Sequence, residues 1–510
     1  MLFLPVIILV VALVALASSN LFGRGFRSNW LLATSAAFVS WLSLLFLRFR
    51  LPLTLEFSSW WVGDGLVQST SFVVDEFSWS IAFAIGSLLL SGLFLSVHYS
   101  ITAPWHSWLP PLGLAAVAIL ATFSGDALAF AFTFTLVDSL VFALQIVSSR
   151  TPDERRSSLT VYFVNLVSIL LLIGAWSLSE PWPVTANLVI LLSIALRLQV
   201  FNSDRGTKTV FPARVDHSIM LRGGSFAASL ALVVRGIPLG ENLLPLVVAV
   251  LILPAGYAGY RVLISSDVSG STHYWAFGNS ILALAASIGG NAAASLAFGM
   301  FAMFGAAFFT IVPGQRHQQL AMIGLGLLAL SSLPFTPGSA VSTIYKAPVT
   351  LVNYAFLAVQ GMLVAGWILQ RKREQTNESP AEPWISSIRT LGTYAQPSIF
   401  LLYGFGLSQP LGPTQLENPL WPSAGILLLA GLFSFLRSRK MSLLPDRLSG
   451  SLQRIASLNW IEYLFMRLFA AIGFGLNILA RILEGQAGVL WAVLLIALLL
   501  SLVAQYALPG

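Results

Sequence analysis

The chain has 510 residues, 57% of them hydrophobic and only 9% charged. A soluble domain carries about a quarter charged residues, so this composition excludes a soluble globular protein and describes a polytopic membrane protein. The 27 basic and 20 acidic residues leave a net charge of +7, but the excess is scattered over short loops, which argues against nucleic-acid binding. Cysteine is absent, which removes disulfides, iron–sulfur clusters and thiolate zinc sites.

A membrane-crossing helix needs roughly 20 apolar residues. Runs of this kind begin near Leu2, Asn29, Trp79, Leu112, Ala127, Leu159, Val184, Ser218, Leu243, Trp275, Ala293, Leu320, Leu351, Tyr394, Ala424 and Val489. They predict about 14 to 16 crossings, all α because open sheet edges cannot sit in lipid. The first run ends in small residues like a signal peptide. Its apolar core has no preceding basic residue, however, and Arg24 and Arg27 follow it, which favours a retained helix. Residues 50–76 form a polar excursion rich in aromatic and acidic residues. The positive-inside rule places Arg24/Arg27, Arg150/Arg155/Arg156, Arg371/Lys372/Arg373 and Arg437/Arg439/Lys440 on the cytoplasmic side of a cell inner membrane. A solvated connector, QRKREQTNESPAEPW (370–384), ends the apolar body. Beyond it come two spans and a basic loop. Residues 458–483 follow, with Glu462, Arg467 and Arg481, and read either as an amphipathic helix on the bilayer surface or as one more tilted crossing. Residues 488–508 form a final anchor.

Two stretches place polar, Pro/Gly-containing sequence between apolar runs: ALRLQVFNSDRGTKTVFPARVDH (195–217, with Pro212) and SSLPFTPGSAVSTIYKAP (331–348, with Pro334, Pro337 and Gly338). They read as ordinary loops or as breaks in membrane-spanning helices. Paired breaks point to inverted repeats around a midplane ion path. Irregular backbone survives at that depth only where protein or water satisfies it. The domains that follow are 1–105, 109–235, 241–370 and 371–510. Charged residues inside apolar runs are costly and mark candidate sites. Asp138 sits mid-run, Arg197 lies just before the first break, Arg222 a turn into the next helix, and Lys346 after the second break. Asp138 and Arg197 are expected to pair, as a structural tie or as part of an ion path. Arginine does not release its proton, and of the five histidines only His217 lies near a break and none has metal-ligand spacing. A complete proton wire is therefore not visible.

The order of these features resembles the antiporter-like membrane subunits of respiratory complex I, membrane-bound hydrogenases and multi-subunit cation/proton antiporters, over roughly residues 70 to 370. VVDEFSW (73–79) resembles the start of the family's third helix, and DALAFAFTFTLVDSL (126–140) is similar to the helix that carries a key glutamate, with Asp138 displaced by about a turn. RRSSLTVYFVNLVSILLLIG (155–174) resembles the next helix. ALRLQ (195–199) falls where the family has a lysine at its first broken helix, placing Arg197 at that position. YRVLISSD (260–267) resembles the end of the following helix. GLLALSSLPFTPGSAVSTIYK (326–346) resembles the second break; Leu333, Pro334 and Gly338 match, while Ser342 stands at the lysine position and Lys346 is one turn on. RILEGQAGVLW (481–491) resembles a C-terminal anchor of some members. The Pro-x-His-x-Trp-Leu-Pro loop is absent from 200–214, and apolar or small residues in 295–309 replace the central histidine and lysine.

The resemblance implies an all-α protein of two inverted-repeat halves (109–235 and 241–370), each with a broken helix, plus an amphipathic helix and anchor at the C-terminus. It implies a membrane subunit of a larger ion-translocating or redox-linked complex with a degenerate proton pathway, as in an NADH-quinone oxidoreductase-like or hydrogenase-like assembly. Without cysteine, haem motif or nucleotide loop, the chain is expected to bind no cofactor or metal itself. Its expected partners are other membrane subunits, a soluble redox or zinc-bearing subunit, and the lipid bilayer. The alternatives are active proton or cation translocation through Asp138 and Lys346, the membrane subunit of an inorganic-carbon uptake complex, and an unrelated carrier.

Overall fold

The apolar runs form helices because a backbone in lipid has to satisfy its own hydrogen bonds. The computed structural model describes residues 1–21, 29–57, 70–99, 103–149, 151–179, 182–198, 218–235, 244–265, 268–310, 316–346, 350–373, 382–411 and 419–439, with Arg467 and Phe474. In chain order the described helices are α1 (Leu4–Leu21), α2 (Asn29–Leu47), α3 (Glu76–Leu95), α4 (Leu109–Thr122), α5 (Ala127–Ser148), α6 (Pro152–Leu178), α7 (Pro183–Arg197), α8 (Ser218–Val234), α9 (Leu244–Ile264), α10 (Val268–Ile288), α11 (Ala292–Thr310), α12 (Arg316–Leu330), α13 (Leu351–Arg373), α14 (Pro383–Leu402) and α15 (Trp421–Ser438). They coincide in order with the first fifteen apolar runs. Seven are long and apolar enough to cross a membrane, and Leu4–Ser18, Pro183–Arg197, Ala292–Gly305 and Gln318–Leu330 are shorter apolar helices. The protein is an all-α polytopic membrane protein.

Two compact units divide the chain, Met1–Ser457 and Leu458–Gly510. Thus α14 and α15, although they lie beyond the polar connector, belong to the first unit. The expected surface helix at 458–483 and anchor at 488–508 lie outside the described residues, Arg467 and Phe474 apart.

Among the described residues, the β-strands lie in the polar excursion. There β1 (Leu53–Phe57) pairs antiparallel with β2 (Thr70–Val74), from Leu53 opposite Val74 to Phe57 opposite Thr70. β2 is rich in β-branched and aromatic residues, and outside the hydrocarbon the edges of both strands can be solvated. Asp126 fastens this hairpin to the helices. Its carboxylate accepts hydrogen bonds from the Ala129 backbone N–H (2.8 Å), capping α5, and from the Ser71 N–H (2.6 Å) on β2. Asp75, in the segment VVDEFSW, caps α3 through a reciprocal bond with Ser78. At the end of α8 the Arg235 Nη2 donates to the Val73 carbonyl (3.2 Å). Burial lowers the pKa of Arg235, while the charges of Asp75 and Asp126 pull it upward.

Contacts between helices fix their directions. The Trp30 indole donates to the Leu93 carbonyl and the Trp79 indole to the Leu44 carbonyl, so α2 and α3 are antiparallel. Ser91 Oγ donates to the Gly392 carbonyl (2.7 Å) and Tyr403 Oη to the Ser80 carbonyl (2.9 Å), so α14 also runs antiparallel to α3. Gln370 Nε2 donates to the Ser265 carbonyl (2.6 Å) and Arg437 Nη2 to the Ile264 carbonyl (3.1 Å), which brings the C-terminal ends of α9, α13 and α15 together. One face of the molecule therefore carries the hairpin and the other carries these three basic helix ends. The α5–α6 turn, with Arg155 and Arg156, falls on the basic face because α5 starts at the hairpin.

The second expected break is present. After α12 the chain leaves the α-helix at Ser331, adopts positive φ at Ser332 (57°) and Phe335 (61°), and continues as a 3₁₀ segment, Pro337–Tyr345. Pro337, Gly338, Ser339 and Ser342 are buried, whereas Pro334 is half-buried and Phe335 exposed. Neighbouring side chains satisfy its backbone. Ser423 Oγ donates to the Ser332 carbonyl (2.6 Å) and Asn353 Nδ2 to the Ile344 carbonyl (2.9 Å). Only glycine fits at 338, where a Cβ would lie 2.7 Å from the Ser332 nitrogen. A Cβ at Gly404 would likewise overlap the Phe335 carbonyl and Thr336 backbone, so the single π turn that ends α14 (Tyr403–Leu407) packs directly on the break. The first break, at 199–217 with Pro212, lies outside the described residues.

Candidate functional site

Asp138 is the twelfth residue of the 22-residue α5, and Arg197 closes α7. The two meet. Arg197 Nη1 donates to Asp138 Oδ2 at 2.9 Å and Nη2 to Oδ1 at 3.0 Å, a two-pronged pair whose side chains are each 1% exposed. Two ions removed from water this completely hold only if their remaining hydrogen-bonding capacity is met. Here it is. Asn165 on α6 donates to Asp138 Oδ1 (3.1 Å), and Arg197 Nε donates to Ser229 Oγ on α8 (3.2 Å). The guanidinium lies 3.7 Å from the centre of the Phe134 ring, one turn before Asp138, where the ring face attracts a cation. Its place at the end of α7 also sets a positive charge on the negative end of that helix. Beside the pair, Ser168 and Ser193 join α6 to α7 (2.9 Å). Four helices thus converge on one neutral unit of opposite charges.

Of the other sequence candidates, the described one, Lys346, does not join it. Lys346 follows the 3₁₀ segment and is exposed. It borders Tyr345, which is 5.4 Å from the Trp421 ring, with Tyr354 6.4 Å from the same indole on its other side. Tyrosine and tryptophan group in this way at membrane–water boundaries, and the hydrogen bond from Thr343 to Asn291 at the start of α11 puts this end on the hairpin face. Lys346 is thus exposed beside this aromatic group, on the hairpin face. Arg222 lies on α8, but its side chain is outside the described residues, as is the whole of His217.

Among the described residues, Asp138 and Arg197 are the only charged side chains that are fully buried. Among the described residues, the buried side chains of α10 to α14 and of the second break are neutral. They include Ser295, Ser339, Ser342, Gln360 and Gln396 alongside the aromatic residues Trp275, Phe298, Phe301 and Phe304, with Phe304 stacked 4.7 Å from Phe400. Sequence reasoning missed Asn165, Ser229 and Phe134 as partners of the pair. Asn165 carried a usable signal, since an amide inside an apolar helix needs a buried partner. Ser229 and Phe134 carried none, because serine and phenylalanine are common in such helices.

No family model and no curated protein matches the sequence. Solved structures match in fold. A chain of the Mrp complex from Dietzia sp. DQ12-45-1b superposes with a TM-score of 0.65 at 15% identity over 99% of this chain and 63% of that one. A chain of the membrane-bound sulfane sulfur reductase, an archaeal respiratory membrane complex, gives 0.60 at 15% identity, covering 98% and 100%. A chain of respiratory complex I from Thermus thermophilus gives 0.57 at 16% identity, covering 79% and 98%. The protein spans under two thirds of the Mrp chain and the full length of the sulfane sulfur reductase chain. It has the fold of the antiporter-like membrane subunits of such complexes.

Proposed function

We propose that the chain is a membrane-embedded, antiporter-like subunit of a larger ion-translocating or redox-linked complex, and that its own proton pathway is degenerate. One observation carries this reading: the only fully buried charges among the described residues are a carboxylate and a guanidinium that bind each other through two hydrogen bonds. A proton relay needs groups that bind and release protons near neutral pH. Arginine does not, and the Asp138 carboxylate is occupied by two guanidinium prongs and an amide. In this reading the pair ties α5, α6, α7 and α8 together as an inherited scaffold, and residues 109–235 and 241–370 are its two inverted repeats. Transport and electron transfer then belong to partner subunits, and the basic face is cytoplasmic in a cell inner membrane.

The test is proton flux in vesicles reconstituted with the purified protein or its native complex. Asp138→Asn leaves flux unchanged if the pair is only a tie. Loss of flux, with the protein still folded and assembled, would establish the alternative in which Asp138 and Lys346 carry protons. A pull-down from native membranes identifies the assembly. Membrane and redox modules support the reading, while a zinc-bearing soluble partner would move it toward inorganic-carbon uptake.

A further inference from the structure

Gln396 lies on the inward face of α14 and is 0% exposed, yet neither its amide nitrogen nor its amide oxygen has a hydrogen-bond partner. An orphaned amide at membrane depth costs several kcal/mol in hydrocarbon, and buried groups in this state are normally met by ordered water. A second feature at the same spot asks for a donor. Pro397 lies inside α14 and has no N–H, so the Thr393 carbonyl, one turn back, cannot receive its ordinary helical hydrogen bond. Three buried hydroxyls stand at this level, and each already donates elsewhere, Ser87 to the Phe83 carbonyl, Ser91 to the Gly392 carbonyl and Thr393 to the Arg389 carbonyl, so none of them serves the Gln396 amide. The antiparallel register set by Ser91 with Gly392 and Ser80 with Tyr403 brings Gln396 level with about Ser87 of α3, and Ser87, Ser91 and Thr393 are all buried.

We infer that Gln396 and the Thr393 carbonyl hold resident water at mid-depth between α3 and α14. The amide offers a donor and an acceptor, the carbonyl offers a second acceptor, and water supplies the complement of all three. This site is separate from the ion pair and stands on α14, outside both proposed repeats. The water is bonded to neutral groups only, so it hydrates the interior between α3 and α14 without adding a titratable residue to it.

Two measurements test the inference. A high-resolution map of the full chain in lipid nanodiscs, sharp enough to show other ordered waters, is expected to contain density within hydrogen-bond reach of Gln396 Nε2 and Oε1. An empty map there overturns the proposal. Thermal unfolding of Gln396→Leu, with the unbranched Gln396→Met as a control for shape, gives the second reading. If water satisfies the amide, both variants melt at or below the temperature of the parent protein. If the site is dry, removing an orphaned amide stabilises the fold, and a rise in melting temperature for both variants overturns the proposal.

Discussion

Asp138 and Arg197 show how differently one buried pair responds to single and paired changes. Asp138→Ala strands the Arg197 guanidinium among apolar side chains and is expected to destabilise the protein by about 3–5 kcal/mol, measured as unfolding in detergent. Replacing both residues together, as in Asp138→Leu with Arg197→Met, is expected to recover most of that loss, since two apolar groups of similar volume need no compensation. Arg197→Lys keeps the charge but loses the two-pronged geometry, the contact with Ser229 and the stack on Phe134. It should therefore lie between the parent and Asp138→Ala, because lysine is a point charge without a planar fork. A double-mutant cycle that showed no coupling between positions 138 and 197 would contradict this account.

At the scale of the element, the second break is held by close backbone contacts as much as by hydrogen bonds. Gly338→Ala and Gly404→Ala each place a methyl group against main chain that has no flexible end to move. Each is expected to cost about 1–3 kcal/mol by overpacking, read as a lowered melting temperature, with the larger effect at Gly404, where all three crowding backbone atoms lie closer to the added carbon than any does at Gly338. The hairpin depends on a different device. Asp126→Ala removes both the cap of α5 and the anchor of β2, a loss of about 1–2 kcal/mol, and should expose the Ser71 amide to faster hydrogen exchange. The notable absence is at the break itself. Ser342 stands where the resemblance calls for lysine, and among the described residues the segment is tied by side chains of Ser, Thr, Asn and Gln.

Over the whole molecule, the basic helix ends and the hairpin occupy opposite faces, which makes the orientation testable. The native chain has no cysteine, so single cysteines can be introduced without removing any. Ser179 follows α6 toward the hairpin face and Ser438 closes α15 on the basic face, and both are exposed. With the basic face inside the cell, a membrane-impermeant thiol reagent added to intact cells should label Ser179→Cys and leave Ser438→Cys unlabelled until the cells are opened. The reverse pattern would invert the orientation.

Much of this protein was legible in its sequence, for physical reasons that can be named. Fifteen apolar runs became fifteen helices because lipid leaves the backbone almost no other choice. The opposite charges at 138 and 197 had to find each other because neither tolerates hydrocarbon alone. The sequence also marked the break around Pro337 and Gly338, and Asn165 could have been read from its place in an apolar helix. Tertiary structure decided the rest. It paired two short strands in what had read only as a polar excursion, and it left Lys346 exposed beside the Tyr345–Trp421 contact. It also brought Ser229 and Phe134, on helices far apart in the chain, against one guanidinium. Such choices depend on which face of each helix meets which neighbour, and an apolar run that is nearly uniform around its circumference does not encode that face on its own.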